Sequence, residues 1–164
     1  MTDAECLAQL FVSHSVRKLR LMQHYLETCV AAVDSAALSR RPGPGQNSIA
    51  NLIVHLCGNL RQWIGSTLGG RPDIRNREAE FAEQAEVSKD QLLALLRNTL
   101  DEAVPIISGL DSGRLAQTVN TQDGPLSVLE VVYQIVGHFQ QHTGQVVFMV
   151  KQGTGRDLQL YQPK

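Results

Sequence analysis

The chain is short of aromatic residues, of charge in excess of either sign, and of long apolar runs. Each shortage removes a class of function. Aromatics are 5% of its 164 residues, and 15 Lys plus Arg nearly cancel 16 Asp plus Glu, leaving a net charge of −1. Without a basic excess there is no electrostatic footprint for nucleic acid or for an anionic membrane surface. No apolar run approaches the ~18 residues that a membrane span needs. Met1-Thr2-Asp3-Ala4-Glu5 is acidic where a signal peptide is basic and then apolar. The cysteines, Cys6, Cys29 and Cys57, are odd in number, widely spaced and without a C-x-x-C motif. They read as small apolar packing residues in a reducing compartment, so a cytoplasmic protein is expected. Also missing are G-x-S-x-G, a P-loop and a dinucleotide fingerprint.

What is present is an ordinary globular mixture, 43% hydrophobic and 19% charged, with enough chain for one domain spanning 1–164. Four stretches carry helical periodicity, at about 3–33, 47–68, 88–109 and 126–152. The first places Leu7, Phe11, His14, Leu21, Tyr25, Cys29 and Val33 on one face, and Arg40-Arg41-Pro42-Gly43-Pro44-Gly45 then forces a loop. Asn47 or Ser48 caps the second, whose stripe is Ile49, Leu52, Leu56, Leu60, Trp63 and Ile64, and Gly69-Gly70 stops it. Residues 71–87 are charged, with Arg71, Arg75 and Arg77 against Glu78, Glu80, Glu83 and Glu86, and read as a loop with a short helical turn.

Ser88 with Gln91 is a capping box for the third helix, whose stripe is Leu92, Leu95, Leu96, Thr99 and Ala103; Pro105 should kink or shorten it. Thr118–Thr121 before Asp123-Gly124-Pro125 reads as an extended piece with a turn. Ser127 caps the fourth helix. The expectation is all-α: a four-helix bundle with a short helical turn or extended piece in its connections.

On the fourth helix, Val128, Val131, Ile135, His138, His142, Val146 and Met149 form one near-heptad stripe, so two histidines stand where aliphatics belong. Four residues advance a helix by about 6 Å and about 40°, which points the two imidazoles the same way. A third ring from a facing helix would complete a three-nitrogen site for a divalent metal, with a position left for water or substrate. The pair can equally be two hydrogen-bonded core histidines, since buried imidazole nitrogens need partners. His55 lies on the flank of the second helix's stripe, which suits a ligand reaching across a groove and also suits a surface residue. His14 falls on the first stripe, while His24 points away from it. Phe139 stands where H-E-x-x-H needs glutamate, so the metalloprotease helix is excluded. Gln141, Gln145, Asn59 and Tyr133 are the polar neighbours that would orient the rings, and no general base stands out.

Ser48-Ile49-Ala50-Asn51-Leu52-Ile53-Val54-His55-Leu56-Cys57-Gly58-Asn59-Leu60-Arg61, Arg75-Asn76-Arg77-Glu78-Ala79-Glu80-Phe81 and His138-x-x-x-His142-x-Gly144-Gln145 together resemble the DinB/YfiT-like superfamily of metalloenzymes, over nearly the whole chain and in the same order. The likeness is to a bacterial branch of unknown function. It implies a four-helix bundle with unusual connectivity, a homodimer, and a nickel or zinc ion held by His55, His138 and His142. His14 has no ligand role by this resemblance. Relatives in that superfamily include thiol-dependent transferases and a maleylpyruvate isomerase, which are analogies only. The reading is a metal-assisted enzyme acting on a small molecule, either a transferase with a low-molecular-weight thiol as co-substrate or a hydrolase, with Arg61 or the Arg71, Arg75, Arg77 cluster receiving an anion. The competing reading is a non-enzymatic helical dimer with no functional metal.

Overall fold

Residues 2–82 and 88–160 are described by the computed structural model. Glu83 and Glu86 of the charged connection lie outside these residues. The chain runs α1 (Asp3–Ala32), α2 (Ser35–Ser39), α3 (Ile49–Leu60), a π-helical continuation of α3 (Arg61–Leu68), α4 (Arg77–Phe81), α5 (Lys89–Ser108), α6 (Ser112–Leu115), β1 (Thr118–Thr121), β2 (Gly124–Ser127) and α7 (Val128–Thr154). The four long helices make the bundle: α1 packs on α5 and α7, and α3 packs on the same two. None of the described helices is long and apolar enough to cross a membrane.

The caps act largely as their residue types dictate. Ser48 closes a capping box with Asn51, and Ser127 closes one with Glu130. Ser88 is the N-cap of α5, but its side chain makes no capping hydrogen bond, so the expected box with Gln91 does not form. Pro105 does not end α5, which continues to Ser108. The proline and Asp101, the residue whose carbonyl its missing N–H would have reached, are both exposed. Water can therefore satisfy that carbonyl. The extended piece is a β-hairpin, with Thr118 opposite Ser127 and Thr121 opposite Gly124. The short helices α2 and α6 were not foreseen.

One stripe is rotated from the sequence reading. In α1 the buried residues are Ala8, Val12, Ser15, Leu19, Met22, Leu26, Cys29 and Val30. Cys29 of the expected stripe is buried and Phe11, Tyr25 and Val33 pack partly buried against the core, but Leu7 is 67% exposed and Leu21 and His14 are exposed, so the packed face overlaps the expected one only in part. Small residues allow close approach to neighbouring helices, and Ser15 satisfies its hydroxyl by donating to the Phe11 carbonyl at 2.8 Å. The α3 stripe is buried as expected. On α7, Val132, Val147 and Val150 are buried together with Val128, Val131, Ile135 and Val146. This helix is packed on two sides within the bundle.

Candidate metal centre

His138 and His142 stand one turn apart on α7, both half-buried, and face His55 on α3. His55 is only 5% exposed, so the surface alternative for it is overturned. The His55 Nε2 and His138 Nε2 atoms are 3.0 Å apart. One nitrogen from each of the three rings lies within 4.8 Å of the other two. The rings are nearly perpendicular, at 74°, 88° and 84° for the three pairs, so their edges converge and they do not stack.

Two of the rings have their outer nitrogens occupied. His55 Nδ1–H donates to Glu80 Oε2 at 2.8 Å, and His142 Nδ1–H donates to Gln145 Oε1 at 2.7 Å. Each bond fixes a tautomer and leaves Nε2 as a lone pair. Burial, followed by the neighbouring His142 and His55, holds His138 down to about 4. Burial likewise lowers His55, outweighing the hydrogen bond it donates to Glu80. Both rings are thus neutral near neutral pH, the state in which imidazole ligates.

The donor set fits a divalent ion. Nitrogens bound at 2.0–2.1 Å in tetrahedral geometry stand roughly 3.4 Å apart; the His55–His138 pair is at 3.0 Å and the third nitrogen lies within 4.8 Å of both. Three protein ligands leave a fourth position open.

Behind His55 lies a structure that the sequence reading missed. Glu80, on α4, is 4% exposed. The Arg75 side chain, 5% exposed, grips it through Nε to Oε1 at 2.7 Å and Nη2 to Oε2 at 2.8 Å. Arg75 Nη2 also stands 3.2 Å from His55 Nδ1, but its hydrogen serves the carboxylate. Nη1 donates to Gln62 Oε1 at 2.8 Å. Asn51 pins this segment to α3, its amide donating to the Glu80 carbonyl at 2.9 Å and the Ala82 carbonyl at 3.1 Å. Arg41 donates to the Phe81 carbonyl. Gly58 leaves room for the carboxylate: a Cβ there would stand 2.0 Å from Glu80 Oε1.

A cavity of about 230 Å³ opens in front of the histidines, lined by His55, His138, Asn59, Arg75, Arg77 and Asp123 among others. Arg77 lies over the Phe81 ring at 5.4 Å, and among the described residues it pairs with no carboxylate. Asn59, its amide turned to present Oδ1, accepts from Trp63 Nε1 at 3.2 Å and Arg75 Nη1 at 3.3 Å.

Of the other residues singled out from sequence, Gln145 orients a ring as expected and Asn59 lines the cavity. Tyr133 and Gln141 are exposed and orient nothing. His14 lies 3.3 Å from Arg17 and takes no part in the cluster. Arg61 and Arg71 both pair with Glu102, not with the histidine cavity. The thiols are free, with Cys29 and Cys57 buried and Cys6 half-buried.

The chain belongs to the family described as a protein of unknown function, DUF1572, whose match covers residues 6–162. No curated protein matches the sequence. Among solved structures, it is similar to a conserved protein from Enterococcus faecalis at 16% identity and a TM-score of 0.73, over 88% of this chain and 97% of that one. It is also similar to YjoA, a DinB-like protein from Bacillus subtilis, at 16% identity and a TM-score of 0.69, over 92% and 99%. A mycothiol-dependent maleylpyruvate isomerase matches at 16% identity and a TM-score of 0.63, over 82% of this chain and 60% of its own. At such identities the likeness establishes a DinB-like fold.

Proposed function

We propose that this member of the DUF1572 family is a metal-dependent enzyme in which His55, His138 and His142 hold one divalent ion, nickel or zinc. It acts on a small anionic molecule, with a low-molecular-weight thiol as co-substrate. The observation that carries this reading is the convergence of three imidazole nitrogens within 4.8 Å, backed by a buried carboxylate and an amide. A bound ion would supply a +2 charge that stabilises a thiolate or hydroxide near neutral pH.

The protein's own groups do the rest. Glu80 keeps His55 in the tautomer that directs Nε2 inward, and Gln145 does the same for His142. Arg77 on the cavity wall receives the substrate's anionic group, because its guanidinium lies over an aromatic face and, among the described residues, pairs with no carboxylate. Its neighbour Arg75 is unavailable, being locked on Glu80. The thiol preference takes support from the mycothiol-dependent isomerase of similar fold. Free cysteines suit a reducing cytoplasm.

The same reading includes a homodimer. Leu7, Leu10 and Leu21 on α1 and Leu129, Tyr133 and Phe148 on α7 are large exposed apolar side chains on two helices that pack together. A stable pairing through them would bury about 1,200 Å² or more in total. Light scattering at micromolar concentration should give twice the chain mass; a monomer there removes the dimer and leaves the metal site as it stands.

The decisive test is metal analysis of protein purified without an affinity tag, followed by a screen for thiol-dependent turnover. Close to one divalent ion per chain is expected, lost in the His55/His138/His142 triple alanine variant. Equal metal in the two proteins would end the proposal.

A further inference from the structure

A cavity larger than the one in front of the histidines does not contain them. It lies on the other side of the Arg75–Glu80 pair, has a volume of about 760 Å³, and is bounded by α3, its π-helical continuation, the 71–80 connection and α5. That volume is in the range of small-molecule sites. Nothing in the metal reading uses this space.

Its walls are of two kinds. Val54, Leu95, Pro72 and Ile74 make an apolar body, and Ile74 is 90% exposed at the rim, a large apolar side chain with nothing over it. Arg61, Arg71 and Glu102 make a charged end. Arg61 Nε and Nη2 each reach Glu102 at 3.2 Å, and Arg71 Nη1 reaches it at 2.9 Å. Two guanidiniums therefore share one carboxylate, leaving a local excess of one positive charge and several N–H donors over. Asp73, also on the lining, keeps its negative charge, held by the Gln62 amide at 2.7 Å and the Arg75 backbone N–H at 3.0 Å, so the lining as a whole is balanced and the positive excess belongs to the Arg61–Arg71 end alone.

Gly65 is the second observation. It is buried in the π-helical stretch, and a Cβ there would meet only Arg71 Cδ at 3.8 Å, an ordinary contact. Gly58 is explained by Glu80; Gly65 is explained by no close approach. Glycine weakens a helix relative to alanine. What its missing side chain does here is keep the cavity floor open. π-Helical turns recur at functional sites, where the widened backbone re-aims side chains.

We infer that this cavity is a second binding site, for a planar aromatic carboxylate whose ring lies over Gly65 between Val54 and Leu95 and whose anion meets Arg61 and Arg71. The site stands independently of the metal centre, with the Arg75–Glu80 pair as the wall between them.

The test is calorimetric titration of the full chain with 2-naphthoate, beside the uncharged 2-naphthalenemethanol. Naphthoate should bind one per chain, and the alcohol roughly tenfold more weakly or worse. Gly65→Leu should abolish binding by filling the floor, and Arg71→Gln should weaken naphthoate while leaving the alcohol unchanged. His138→Ala should leave naphthoate affinity unchanged, which separates this site from the metal centre whether or not that centre binds an ion. Should Gly65→Leu fail to fold by circular dichroism, Val54→Phe fills the same space from α3 and is read in the same way. Absence of naphthoate binding, or equal affinity in a folded cavity-filling variant, overturns the site. Equal affinity for the alcohol overturns the carboxylate assignment, and loss of binding in His138→Ala places the ligand at the histidines instead.

Discussion

His142 and His55 belong to one cluster, yet they are held in opposite ways. His142 is oriented by Gln145, three residues along the same helix. His55 is oriented by Glu80, 25 residues away, and Glu80 in turn depends on Arg75, Asn51 and the empty space at Gly58. The first arrangement is present as soon as α7 is helical. The second exists only when the 75–82 segment is docked on α3. One half of the site is therefore secondary structure, and the other half is tertiary structure built on a buried ion pair. The two halves should respond very differently to substitution.

The largest difference is expected at Glu80. Removing it as Glu80→Ala strands the Arg75 guanidinium in the interior, which should cost about 3–5 kcal/mol of stability in denaturant unfolding. It should also weaken metal binding about 10- to 100-fold, because His55 loses its orienting partner. The paired replacement Arg75→Met with Glu80→Leu separates these effects. With no charge left buried, stability should recover in large part, while metal affinity stays low. If Glu80→Ala binds metal as tightly as the unaltered protein, the carboxylate is structural only and the tertiary half of the comparison fails.

A smaller contrast is expected among glycines. Gly58→Ala would place a methyl 2.0 Å from Glu80 Oε1 and 2.9 Å from its Cδ, and that carboxylate is held by Arg75 and His55 and cannot swing away. Overpacking of this kind costs about 1–3 kcal/mol, only partly offset by a helix-propensity gain of about 1 kcal/mol. Gly137→Ala on α7 meets nothing within 4 Å and should be neutral or stabilising by up to about 1 kcal/mol. Thermal melting of the two variants decides it. Melting temperatures that move together would mean that α3 has slack to accommodate the methyl.

The same local-versus-tertiary division explains what was legible in the chain. The α7 stripe, its Ser127 cap, the facing pair of histidines and the bonding of Gln145 follow from helical spacing, and the structure has them. So does the α3 stripe, because its apolar residues are large and continuous. On α1 the packed face runs through Ala8 and Ser15, small residues whose value is in letting helices approach, and a reading weighted to large side chains picked the face of Leu7 and Leu21 instead. His55 could be assigned from the residues only as a flank position, since the groups that meet its ring come from α4 and α7. Glu80 was one carboxylate among several in a charged connection, where spacing carries no signal of burial. Nothing in a 3.6-residue period reports that Arg75 and Glu80 turn inward, or that Arg61 widens into a π-helical stretch.

The smallest effect is expected at Gln145. Gln145→Ala removes one neutral hydrogen bond from His142, at an exposed position on a helix that is intact without it. Such a bond contributes about 0.5–1.5 kcal/mol, so metal affinity should fall roughly twofold to tenfold. Stability should hardly move, since no buried group is left unsatisfied. The direction follows from exposure: water can take the place of the Gln145 oxygen at Nδ1, whereas no water replaces Glu80 behind His55. Competition against a chromophoric chelator measures both variants on one scale. A loss in Gln145→Ala as large as that in Glu80→Ala would show that orientation of the ring, and not the charge and burial of its partner, governs the site, and would dissolve the distinction between its two halves.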